Sequence, residues 1–414
     1  MKRLLAPYLA AIHDGNGESL WPVFGFGVSM IVDYGALYYS FTILAPHIGR
    51  DLGWGSSFTY GAISAAFFCS GLLAPLTGRL LDRHGGRLVM SAGTVIAAAA
   101  LAALSMAEGR VSFVAALIVA EVAGTAALYN AAFTMLTQIY GRGARRAITF
   151  TTLVAAFSST LIWPLTNALL GVLDWRGVIL VLAGLVLCVS LPIHLMMPVT
   201  GSNNAPERSR DGLTSRPPDA PVLTGRDRKR AFVLLVFSFS MTSFVLAALP
   251  IHFVPLLESL GYTNATAVLL GTLIGPSQFL IRFLEMIAGQ RLSAVSVGLI
   301  AAVLVPAGLI VLMLGGSLLV AGFLFAVIYG MGQGLESIAK GIVPLALFGT
   351  EGYGAILGKI AMGGLFVSSG SPFVFALVRD SWGPMAGLAL MTATSTLAAL
   401  AYLGIPRPPH GATA

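Results

Sequence analysis

Long apolar runs separated by short polar turns dominate the chain. A helix rising 1.5 Å per residue needs about 20 residues to cross a hydrocarbon layer roughly 30 Å thick. Runs of that length fall at residues 22–44, 57–78, 88–107, 111–138, 145–171 and 177–197, and again at 231–256, 264–289, 293–313, 317–346, 352–378 and 383–404. They are too long for core strands and carry too few charges for surface helices, so they predict twelve membrane-spanning helices. One long polar stretch interrupts them, "TGSNNAPERSRDGLTSRPPDAPVLTGRDRKR" at 200–230. Its Pro, Ser, Asp and Arg content predicts a water-exposed linker. The expected architecture is an all-α membrane protein with a six-helix bundle over 1–199, a cytoplasmic linker over 200–230 and a second six-helix bundle over 231–414. Six spans plus six is the organisation of two half-repeats around a central cavity.

Composition agrees. Of 414 residues 57% are hydrophobic and 10% charged, against about 25% charged in an ordinary soluble chain. Membrane lipid is therefore the expected surrounding. The net charge of +7 would suit a nucleic-acid partner, but its placement points elsewhere. With the N-terminus inside, seventeen of the 24 lysines and arginines fall in inner segments, while only Arg50, Arg110, Arg176 and Arg379 lie outside. That asymmetry is a topology signal and predicts both termini in the cytoplasm, with no nucleic acid bound. The opening "MKRLLAPYLAAIHDGNGES" lacks a cleavable-signal pattern. Cys69 and Cys188 lie in apolar segments without metal-ligand spacing and read as packing residues. No G-x4-G-K-[ST] loop, nucleophile constellation or metal cluster is present in the sequence, so no enzyme, no cofactor and no ATP-driven pump is expected. A receptor would carry an appended signalling domain, and the sequence shows none.

The turn after the second span reads "GRLLDRHGGR". Gly78 and Gly85 permit tight helix ends. Asp82 can accept hydrogen bonds from Arg83, from Arg87 or from helix N-terminal amides, making an electrostatic latch on the cytoplasmic side. The stretch resembles the signature loop of the major facilitator superfamily, G-x-L-x-D-R-x-G-R-R/K. Gly78, Leu80, Asp82, Arg83, Gly85 and Arg87 match, and Gly86 stands where the family usually has Arg. "DWRGVILVLAG" at 174–184 is similar to the family's W-R turn. The first three spans look most like the bacterial monocarboxylate and oxalate/formate transporter branch. Span five, "ITFTTLVAAFSSTLIWPLTNALLG", lacks the G-x3-G-P-x2-G-G run of many drug/proton antiporters. The resemblance implies a secondary transporter of a bacterial inner membrane, working as a monomer by alternating access.

Charges at bilayer depth cost roughly 2.5–3.5 kcal/mol each on insertion scales, so they face a cavity or one another. Seven occur within spans: Asp33, Glu121, Arg282, Glu285, Glu336, Lys340 and Lys359. Arg282 with Glu285 and Glu336 with Lys340 have helical i,i+3 and i,i+4 spacing and could neutralise each other within their own helices. Glu285, Glu336 and Lys340 are accordingly read as gating or packing residues. In the resembling branch, spans eight and eleven face the cavity and bind carboxylate through an Arg and a Lys, roles that Arg282 and Lys359 match by span and rough depth. Guanidinium offers a carboxylate two parallel donors, and ammonium a point charge. That branch usually carries an Asp four residues before the Arg; this chain has Gln278. Proton coupling is therefore expected at Asp33, with Glu121 as the other candidate.

Tyr34, Tyr38, Tyr129, Asn130, Tyr329, Gln278 and Gln333 are the polar and aromatic candidates for the cavity wall. Tyr129 and Asn130 stand out because "ALYNAAF" surrounds them with small residues. His252 in "LPIHFVP" is expected near the outer mouth in packing or gating. Gly330, Gly332 and Gly334 of "GMGQGLES" should allow close helix packing. The expected substrate is a small, monocarboxylate-like organic anion moving with a proton. The alternatives are efflux of a toxic small molecule or metalloid oxyanion, and uptake of a vitamin-like solute.

Overall fold

The computed structural model describes residues 21–200, 222–288 and 291–407; most of the expected linker, 201–221, lies outside them. Twelve helices are long and apolar enough to cross a membrane. They are α1 (Trp21–Asp51), α2 (Phe58–His84), α3 (Gly86–Ser105), α4 (Arg110–Tyr140), α5 (Ala144–Leu170) and α6 (Trp175–Leu195), followed by α7 (Gly225–Ser259), α8 (Asn264–Ile287), α9 (Ala294–Gly315), α10 (Leu319–Phe348), α11 (Tyr353–Trp382) and α12 (Pro384–Leu403). No strand occurs among the described residues. The number and order of spans are those the hydropathy pattern predicts.

Two differences from that pattern have physical causes. Helix α7 begins at Gly225 rather than 231, so the basic run Arg226, Arg228, Lys229 and Arg230 is helical. Polarity marks the edge of the hydrocarbon but does not end a helix, because Arg and Lys are good helix formers. Secondly, four of the first six spans are not regular. Helix α1 carries a π-helical turn at Gly35–Tyr39 and α6 another at Val186–Ser190. Helix α4 breaks between Gly124 and Tyr129, where the Thr125 hydroxyl donates to the Val122 carbonyl at 2.7 Å, and α5 breaks between Ala155 and Ser158. Threonine back-bonding of this kind competes with the helical ladder and bends it.

The chain divides into two compact units. One comprises Met1–Val222 with Pro344–Lys359 and Pro408–Ala414; the other comprises Leu223–Val343 with Ile360–Arg407. The adjoining ends of α10 and α11 group with the first of these units.

In the first unit α1 packs on α5, α2 on α4, and α3 on both α4 and α6. A Cβ on Gly27 would overlap Val154 and one on Gly35 would overlap Ile162, so small residues set the α1–α5 spacing. Leu101, Phe113, Trp175 and Leu182 fill the core between these helices. At one end the "DWRG" turn ties three spans together. Asp174 caps α6 by accepting from the Gly177 amide at 2.8 Å, the Trp175 indole donates to Asp51 at 2.9 Å, and Arg176 donates to the carbonyls of Ser105 and Ala107. In the second unit α12 packs on both α7 and α9. The Ser238 hydroxyl donates to the Ala398 carbonyl at 2.9 Å, and Phe253, Phe325, Tyr329 and Phe375 form the core. Outside, Leu72, Leu73, Leu76 and Leu80 of α2 are exposed, as lipid requires.

Candidate functional site

The signature turn builds a seam inside the first unit. Asp82, near the end of α2, accepts from the amides of Gly354 at 2.9 Å and Ala355 at 2.7 Å, the opening residues of α11. Those amides have no intrahelical acceptor, and the helix dipole adds to the attraction for a carboxylate. Of the three acceptor arrangements open in the sequence, the helix N-terminus is the one found. Arg83 and Arg87 are exposed and make no ion pair among the described residues.

The approach depends on missing side chains. A Cβ on Gly78 would strike the Gly354 backbone, and one on Gly358 would strike the Ala74 carbonyl. Gly85 has φ +81°, the left-handed region, and faces the Thr200 carbonyl at the close of α6. The Thr200 hydroxyl continues the clasp, donating to Gln138, whose side-chain amide donates to the Leu81 carbonyl. Gly86, the departure from the family pattern, is buried against Met135, where a longer side chain has no room. Asn130 lines a small gap at this seam with Thr125, Gly78, Gly354 and Gly358.

Arg282 sits in α8 of the second unit, 4% exposed. Its Nε donates to the Gly334 carbonyl of α10 at 3.3 Å, and one terminal nitrogen donates to Gln278 Oε1 at 3.2 Å. The Gln278 amide donates in turn to Gln333 Oε1 at 2.9 Å. Gly334 makes this possible, since a Cβ there would collide with Gln278 and Ile281, and Gly330 is pressed against Ile274 and Ser277 in the same way. Gly332 faces α9 instead, against Val305. Glu285 is also buried, one turn along α8. These two hydrogen bonds orient the guanidinium plane.

The other ionisable residues are placed differently. Glu336 and Lys340 do not close the expected ion pair within 4 Å among the described residues. Glu336 is buried, its Oε1 makes no hydrogen bond among the described residues, and the Tyr402 hydroxyl of α12, likewise without one among them, shares its surroundings. Spacing alone missed this because α12 supplies the neighbour. Lys359 belongs to the first unit, directly after the Gly358 contact, and is exposed. Tyr329 is buried in the second unit's core beside Phe325, at ring centroids 5.7 Å apart. His252 accepts or donates locally, at 3.1 Å from the Pro372 carbonyl and 3.4 Å from Arg379.

An aromatic wall lines part of the first unit. Tyr34 and Tyr129 lie 4.6 Å apart by ring centroids, Tyr129 stacks on Phe133, and Tyr38 stacks on Phe67. Tyr129 opens the second segment of the broken α4, so the break places its ring. Glu121 lies near Tyr38, in the segment before the break. Asp33 is fully buried on α1, and His194 of α6 approaches it to 4.0 Å. Sequence reasoning missed three participants: His194, Tyr402 and the Gly354–Gly358 pair. Only the last had a local signal, a small-xxx-small spacing in "GYGAILGK".

The family profile described as Major Facilitator Superfamily matches residues 26–372, and the chain belongs to that superfamily. It is a multi-pass membrane transporter, not an enzyme. Among solved structures, the human organic anion transporter MFSD10 (TETRAN) superposes with a TM-score of 0.70 at 15% identity, covering 93% of this chain and 99% of that one. The proton:xylose symporter XylE bound to 6-bromo-6-deoxy-D-glucose superposes with a TM-score of 0.70 at 12% identity, covering 91% and 94%. At such identities the likeness is one of fold. No curated protein sequence matches the chain significantly.

Proposed function

We propose that the protein carries a small organic anion, monocarboxylate-like, across a bacterial inner membrane by alternating access, coupled to proton movement and with both termini in the cytoplasm. The observation that carries this reading is the buried Arg282, fixed through its Nε and one terminal nitrogen by Gly334 and Gln278. An oriented guanidinium in an apolar helix is a suitable anchor for a planar anion. Within the first unit, taken by itself, Lys359 is the candidate cation and Tyr34, Tyr38 and Tyr129 the candidate apolar contact surface. Asp33 is the proton carrier, with Glu121 as the alternate. The organic anion transporter among the structural neighbours is consistent with the substrate class, and the proton symporter with the coupling.

The test is uptake into proteoliposomes of labelled mono- and dicarboxylates, beside vitamins and metalloid oxyanions as competitors. R282Q should lower transport of the accepted anion about tenfold or more, equivalent to ~1.4 kcal/mol of binding, with unchanged thermal stability. Transport of none of the carboxylates, or an R282Q protein that transports normally, sinks the reading. E285Q separates the structural alternative: loss of folding in both R282Q and E285Q marks an internal ion pair rather than an anchor.

A further inference from the structure

His194 is a buried titratable residue that the anion site does not use. It projects from the last turn of α6 and is 0% exposed, as is Asp33. Three hydroxyls surround the two groups. The Thr94 hydroxyl of α3 lies 2.8 Å from Nδ1, the Ser29 hydroxyl of α1 lies 3.3 Å from Nε2, and Asp33 Oδ2 lies 4.0 Å from Nε2. Ser190, one turn earlier on α6, approaches Asp33 from the side. Neither Asp33 oxygen nor the Ser190 hydroxyl completes a hydrogen bond among the described residues.

The hydroxyls fix the ring's proton. The Thr94 hydroxyl lies 2.8 Å from the Met90 carbonyl, and with its single proton directed there its oxygen accepts from Nδ1–H. The neutral ring therefore carries its lone pair on Nε2, which faces Asp33. Ser29 also has a backbone acceptor, the Phe26 carbonyl at 3.2 Å. A second ring proton on Nε2 would meet the Ser29 and Asp33 oxygens. Among the described residues, the neighbouring helices add no competing charge. From α5 come only the hydroxyls of Thr151 and Ser158, which donate to the Val23 and Ile31 carbonyls, while Tyr34 turns to Tyr129. Asp33 and His194 are the charged or titratable groups that meet here.

We propose that Asp33 and His194 form one proton-binding pair, holding a single proton between Oδ2 and Nε2. The loaded pair is either a carboxylic acid donating to a neutral ring or a carboxylate accepting from an imidazolium; both are neutral overall. Neutrality suits a fully buried pair. Release transfers that proton to water and leaves carboxylate and neutral imidazole, a net negative charge that buried surroundings disfavour until the site hydrates. A closure of about 1 Å converts the present separation to a hydrogen bond. His194 is thus a positioning residue for the coupling acid. This deepens the proton-coupling part of the proposed function and rests on it, but not on the identity of the anion.

The test needs no substrate. Full-length protein in nanodiscs, labelled with nitrogen-15 histidine, is titrated with pH, and H194Q identifies the signal among the six histidines. The expected ring is the Nδ1–H tautomer at neutral charge, and D33N should move its midpoint by about one pH unit or more, a tenfold change in proton affinity. An Nε2–H ring, or the same midpoint in D33N, overturns the proposal. Should D33N fail to fold, the wild-type protein decides. Its protonated-carboxyl infrared band and its Nε2 signal must change over one shared pH interval; separate intervals overturn the pair. Failure of carboxylate uptake leaves these spectra unaffected, and failure of the spectra leaves the Arg282 anchor standing.

Discussion

Arg282 is a charge held inside an apolar helix. Two of its hydrogen bonds, to a backbone carbonyl and a side-chain amide, direct the guanidinium plane. Lysine at this position would retain the charge and lose the fork, so R282K should keep measurable transport with affinity weakened about tenfold; competition by unlabelled anion in proteoliposomes reads it. Gln278 offers a complementary experiment. Q278D would place a carboxylate beside the guanidinium, where it competes with a bound anion when ionised and not when protonated. Transport by Q278D should fall as pH rises and recover as pH falls; a pH profile matching wild type would show that position 278 has no electrical contact with the bound anion. The presence of Arg282 and Gln278 was readable from sequence. Their geometry was not, because Gly334 supplies the acceptor from another helix.

At the scale of elements, the seam between α2 and α11 turns on a carboxylate capping a helix and on glycines that let two backbones touch. D82N retains the shape and removes the charge, so it should cost about 1 kcal/mol, the usual worth of a cap. Hydrogen exchange at the Gly354 and Ala355 amides checks this directly, with faster exchange expected in D82N. G358V should open the seam and speed the same exchange, since its side chain meets the Ala74 backbone; unchanged protection in both variants would mean the contact does not hold the helices. The break in α4 is likewise local chemistry with a distant effect. T125V removes the back-bond to Val122 and should shift the Tyr129 ring, measurable as altered competition by aromatic carboxylates. The turn glycines and the Asp were visible in the sequence motif, whereas their partners at 354 and 355 lay far along the chain and carried no complementary charge to announce them.

For the whole molecule, coupling is the property to test. An imposed inside-alkaline gradient should accelerate accumulation of the anion by the wild-type protein. D33N should abolish that acceleration while anion exchange across vesicles without a gradient continues. E121Q distinguishes the alternate carrier: if it, rather than D33N, uncouples transport, the proton resides beside Tyr38. Loss of exchange in both variants with normal folding would assign the two acids to the transport cycle itself rather than to coupling.

Sequence alone determined the twelve spans and the signature turn, and it supplied the topology expectation. These depend on quantities that accumulate along the chain: the length of an apolar run, the side on which arginines cluster, and a turn in which Gly85 must adopt positive φ. It also marked the membrane-depth charges, because hydrocarbon makes every such residue conspicuous. Tertiary structure alone decided their partners. Asp33 meets His194, Asp82 meets the amides of Gly354 and Ala355, and Glu336 lies by Tyr402 as well as by Lys340. Helical spacing can name neighbours within one helix, but buried polar groups are satisfied or left wanting by side chains and backbone from other helices. Those contacts are fixed by how closely small residues let the helices approach, which no single stretch of sequence records.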